Sequence, residues 1–155
     1  MARGIFVGHN CYFMEEKMNT EWSLDEIYKG FDDEAYENDF EALEAELGRF
    51  GAAVKASDKE LFDKVEELLT FEENITLLAG KLSLYIGLRQ SVNTDDGAIM
   101  AQSNRYRKVL SAGSAAFSAA SKLYASIPDV DEMASKSELI KKYTYKLKTA
   151  KENAK

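Results

Sequence analysis

The sequence predicts an all-α protein, an elongated antiparallel helical bundle of four to five helices, two of them long. Three observations carry that prediction. Apolar residues recur at steps of three and four along most of the chain. One proline and 9 glycines among 155 residues leave little material for the tight turns of a many-stranded fold. Helix-start signals, Ser, Thr or Asp with Glu three residues on, punctuate the pattern at intervals.

The elements follow in order. Ser23 with Glu26 forms a capping box ahead of Ile27 and Tyr28, and Gly30 ends this short first helix. Asp32 caps the next, with Phe31 and Tyr36 spaced as a hydrophobic staple. Tyr36, Phe40, Leu43, Leu47, Phe50 and Val54 then mark one stripe. Ser57 and Glu60 make a second capping box. From about Lys59 to Ser91, Leu61, Val65, Leu68, Ile75, Leu78, Leu82 and Ile86 hold one face, widened by Leu69, Phe71 and Tyr85, with Gly80 and Gly87 as points of kinking. Thr94 caps the second long helix, where Asp95 and Asp96 favour the positive end of its dipole. Ile99, Tyr106, Leu110, Phe117, Leu123 and Tyr124 supply its bulk, and the small-residue block SAGSAAFSAAS admits a close neighbour. Pro128 stops it, because the residue before a proline avoids the α region. Ser135 and Glu138 start the last helix, with Leu139, Ile140, Tyr143 and Leu147 on its apolar face.

Length fits one domain, residues 18–155, preceded by a flexible extension over 1–17. A net charge of −7 argues against nucleic acid, whose phosphates need clustered Lys and Arg, and against an anionic membrane surface. No apolar run is long enough to span a bilayer. Cys11 stands alone, so no intramolecular disulfide forms, and the expected location is cytoplasmic.

Catalytic groups are scarce. His9 is the only histidine; with Cys11 it supplies two ligands, short of a tetrahedral zinc set. There is no Glu-x-x-His pair for a di-iron bundle, no H-E-x-x-H, and no phosphate-cradling glycine loop. Phe71–Asn74 (FEEN) reads as a solvated acidic face and Arg105–Lys108 (RYRK) as surface charge. No residue is assigned a catalytic, cofactor-binding or metal role, and the chain is expected not to be an enzyme.

The segment EWSLDEIYKGFDDEAYENDFEALEAEL resembles the start of the oligoendopeptidase F branch of thimet-oligopeptidase-like zinc metallopeptidases, with Trp22, Leu24, Ile27, Tyr28, Phe31, Phe40 and Leu43 in matching places. LAGKLSLYIGLRQSVNTDDGAIMAQ is similar to that family's helix-turn-helix, through Leu82, Tyr85, Leu88, Ser91, Asn93, Thr94, Asp95 and Ala98. IPDVDEMASKSELIKKYTYKL is similar to its connector and following helix. The resemblance covers about Met18 to Lys148 and implies a non-catalytic N-terminal lobe that walls a peptide channel. The family's zinc and its ligands belong to a downstream lobe, so none is carried onto this chain. The partners implied are that catalytic lobe, a second copy through exposed apolar helix faces, or short peptides. The alternative is a free-standing helical module that binds a peptide or a partner helix.

Overall fold

The computed structural model describes residues 23–93 and 96–154, and all regular structure there is helical. Three long helices, α1 (Glu34–Lys55), α2 (Leu61–Val92) and α3 (Gly97–Ala125), are followed by the short α4 (Val130–Ala134), α5 (Glu138–Lys142) and α6 (Thr144–Asn153). The all-α prediction holds, with three long helices rather than two. The third is α1: its stripe of Tyr36, Phe40, Leu43, Leu47 and Phe50 is buried throughout, so packing sustains it through Gly48 and Gly51.

Several starts move. Residues 24–28 form one turn, not a helix. Ser23 Oγ accepts from Asp25 N at 3.1 Å, a local serine turn that competes with capping. The N-cap of α1 is Asp33, one residue later than expected, accepting from Ala35 N at 3.0 Å. The Phe31–Tyr36 contact survives the shift, with ring centroids 5.4 Å apart. Glu60, not Ser57, precedes α2 and makes no side-chain cap. Its neighbour Lys64 is used instead at the end of α1, donating to the carbonyls of Val54 at 2.9 Å and of Ala56. Asp96 caps α3, accepting from Ala98 N at 2.8 Å; Thr94, Asp95, Trp22 and residues 1–17 lie outside the described residues. Asp129 starts α4, unforeseen in the connector, and Ser137 rather than Ser135 caps α5. The last helix is interrupted at Tyr143. Despite Gly80 and Gly87, α2 is continuous; over its 32 residues it runs about 48 Å.

Short connections fold α2 back on α1 and α3 back on α2. Asp39 meets Lys81 at 2.7 Å near one end of the α1–α2 pair and Val54 meets Lys64 near the other, which fixes them antiparallel. α1 and α3 therefore run side by side in the same direction: Tyr36 reaches Gln102, Glu37 reaches Arg105, and Phe50 lies on Phe117 with centroids 4.8 Å apart. One end of the core is an aromatic cluster. Tyr28 and Tyr36 stand edge-to-face at 5.2 Å, Tyr28 and Tyr85 at 5.0 Å, and Tyr36 and Phe40 at 5.2 Å, the geometry that the ring quadrupole favours. At the other end α5 lies over the N-terminal half of α2, while α6 packs along α3 and reaches α2 through Lys146 and Glu72. Among the described residues no helix is long and apolar enough to cross a membrane.

Candidate functional site

Two places gather polar side chains. The first is an open groove between α1 and α3, of about 550 Å³, lined by Glu44, Leu47, Gly48, Arg105, Lys108, Val109 and Ala112. Helices running in the same direction leave such a furrow wherever no third helix lies over it, and the two here touch tightly beside it. A Cβ on Gly113 would stand 2.7 Å from Leu47 Cδ2, and one on Gly51 would stand 3.8 Å from the Ala116 methyl. The small-residue block thus seats α1 on its Gly113–Ala116–Ala120 side, while Ser111, Ala112, Ser114, Ala115, Ser118 and Ala119 face outward. Leu47 and Val109 form an apolar floor, with Glu44 on one rim and Arg105 and Lys108 on the other.

The basic run Arg105–Lys108 is taken apart by the helix. Arg105 turns to α1, bonds Glu37 Oε1 at 2.7 Å and lies 4.1 Å over the Phe40 ring. That bond raises the guanidinium's pKa and lowers the Glu37 carboxyl's. Tyr106 turns to α2 and donates to the Ala79 carbonyl at 3.1 Å. Arg107 lines a separate hollow beside Gly87, and Lys108 lines the groove on the same rim as Arg105. Four consecutive residues spread over about 300° of a helix cannot present one anion site.

The second place corrects the reading of FEEN as a solvated face. Glu72 is 7 % exposed, the only buried charged residue among those described. It pairs with Lys146 on α6 and lies beside the buried Tyr124. Glu73 accepts from Lys142 at 2.6 Å and from the Tyr143 hydroxyl at 2.9 Å, and these bonds lower its pKa. Burial, then the neighbouring Glu72 charge, raises the Tyr124 phenol. Ser137 adds a bond to Glu66 at 2.5 Å. The three glutamates clamp α5 and α6 to α2, so their geometry is that of a structural joint. In the sequence, the sign was Lys142 and Lys146 spaced four apart on a helix with an apolar face, a pattern with charges to match across a contact.

Among the described residues no three His, Cys, Asp or Glu side chains are placed to share a metal ion, and His9 and Cys11 lie outside those residues. The α1–α3 groove is therefore the candidate: an apolar floor between rims of opposite charge, open along its length. No protein-family model, no curated protein and no solved structure matches the chain.

Proposed function

We propose that this chain is the non-catalytic N-terminal lobe of an oligoendopeptidase F-like zinc metallopeptidase, walling one side of a channel for short peptides. The observation that carries the reading is the α1–α3 groove. An extended peptide lays alternate side chains on the Leu47–Val109 floor, while Glu44 attracts an amino group and Lys108 with Arg105 a carboxylate. The resembling segments supply the surrounding frame: the first ends in α1, the second is the α2–α3 hairpin, the third is α4 to α6. The outward Ser and Ala residues of α3 continue the groove as an uncharged surface suited to close packing by the catalytic lobe. In this reading zinc belongs to that lobe, the chain by itself turns nothing over, and the protein works in the cytoplasm.

A second reading rests on the same groove. A free-standing interaction module would bind peptides there with no catalytic lobe.

Fluorescence anisotropy with labelled, unstructured peptides of about 5–10 residues tests the groove, using Ala112→Arg to fill it from an exposed position. Saturable binding that Ala112→Arg weakens at least tenfold is expected; no binding at millimolar peptide refutes the groove as a peptide wall. Zinc-dependent turnover of a quenched peptide, abolished by a chelator, would overturn the non-catalytic assignment. DNA sequence beyond the Lys155 codon separates the two readings: an open frame reaching H-E-x-x-H selects the lobe, and a stop codon selects the module.

A further inference from the structure

The two halves of α2 differ on the side turned away from the core. In the first half α5 and its cap cover that side as far as Glu73, through Ser137 on Glu66 and Lys142 on Glu73. In the second half none of the described residues covers it, and it carries Leu77, 72 % exposed, and Leu84, 55 % exposed. Between and beyond them lie Gly80 and Gly87, each with nothing within 4 Å of where a Cβ would stand. Each glycine costs the helix about 1 kcal/mol relative to alanine, and no contact among the described residues requires either of them. Leucines seven apart interleaved with glycines seven apart form one line along the helix, directly opposite the buried Leu82.

That line has a symmetry of its own. Leu77 and Gly87 are each five residues from Leu82, and Gly80 and Leu84 are each two residues from it. When two such helices pack antiparallel about a twofold axis level with Leu82, every leucine falls opposite a glycine of the other copy. Large meets small four times, as an isologous contact requires. The missing Cβ atoms allow the backbones to approach closely. Lys81, the cation at the middle of the seam, is already neutralised by Asp39 at 2.7 Å, so the pairing brings no uncompensated like charges together.

We infer that the outer face of the C-terminal half of α2 is a docking surface for a second copy of this chain, with Leu77 and Leu84 seated over Gly87 and Gly80 of that copy. Three to four helical turns, roughly 20 Å long, bury far less than the ~1,200 Å² of a stable interface. The dimer is accordingly weak and concentration-dependent.

Sedimentation velocity of the full chain, from about 5 μM to about 1 mM at physiological salt, tests this; circular dichroism verifies that each variant keeps its helix. The wild type shifts reversibly from monomer to dimer across the range. Leu77→Glu/Leu84→Glu stays monomeric, raising the dissociation constant at least 100-fold. Gly80→Leu/Gly87→Leu is the decisive variant. It adds exposed apolar surface, so it strengthens any non-specific association, yet it fills the holes and abolishes this one. A wild type monomeric at 1 mM, a dimer that survives the paired Glu substitutions, or a tighter dimer in the paired Leu variant would each overturn the inference.

Discussion

Two identical substitutions on two helices should move stability in opposite directions. At Gly80 a new Cβ meets nothing within 4 Å, so Gly80→Ala gains the full helix propensity difference, about 0.8–1.0 kcal/mol. At Gly113 the same gain is opposed. The added methyl lies 2.7 Å from Leu47 Cδ2 and 3.4 Å from Phe117 Cε2, and Leu47 is only 7 % exposed, held between α1 and α3. Overpacking of this kind costs about 1–3 kcal/mol, so Gly113→Ala should destabilise by roughly 1 kcal/mol net. For a chain of this size 1 kcal/mol moves Tm by about 2–4 °C. Thermal and urea melts at about 5 μM, below the range of pairing through α2, should therefore show Gly80→Ala above wild type and Gly113→Ala below it. Leu47→Ala removes the methyl that clashes, so the pair Gly113→Ala/Leu47→Ala should be less destabilised than the sum of the single changes. Equal gains at both glycines, or additivity of the pair, would refute the close approach of α1 and α3 on which the groove depends.

Two further outcomes follow from buried polar groups. Lys146→Met leaves the buried Glu72 carboxylate without its cation, a loss of about 1–3 kcal/mol; adding Glu72→Met should recover much of it, because an apolar pair no longer strands a charge, and urea melts of the four species measure the coupling. At alkaline pH the tyrosines decide. Burial, the largest cause in each case, raises the phenols of Tyr28, Tyr36 and Tyr124 above their ordinary value of 10.0. A raised folded pKa means that the stability these groups contribute is complete below about pH 10, the unfolded value, and is lost as pH rises through the folded values. Absorbance near 295 nm should then show part of the tyrosine titrating only together with the loss of helix signal, and smooth titration with the helices intact would contradict the burial.

How legible the molecule was depended on distance along the chain. The stripe from Tyr36 to Phe50 and the long face from Val65 to Ile86 are readable because a helix repeats its environment every turn, and those residues are buried, Leu78 only in part. Some caps were readable to within one or two residues: Asp32 is expected where Asp33 serves, and Ser135 where Ser137 does, since each short polar side chain near a start competes for the same amide donors; Ser57 lies three residues before Glu60, which precedes α2. The candidate groove was not readable. Glu44 and Lys108 are 64 positions apart, and only the parallel placement of α1 and α3 sets them on facing rims. FEEN misled because adjacent glutamates on a helix are indistinguishable in sequence whether water or Lys146 lies above them.

The sequence by itself determined that this protein is helical, where its long helices run, and which of their faces are buried, because those properties are set by propensity and by periodicity within a few turns. It also determined, through a symmetric placement of two leucines and two glycines about Leu82, a pattern that only acquires meaning once that side of α2 is seen to be left uncovered by the described residues. Tertiary structure alone decided that Glu72 is buried and clamped, that Arg105 belongs to Glu37 and Phe40 and not to its neighbours in the chain, and that a furrow with charged rims lies between α1 and α3. The physical reason is one of range. Backbone hydrogen bonds and side-chain spacing act over three or four residues, whereas desolvation and charge pairing depend on which helices come to lie side by side.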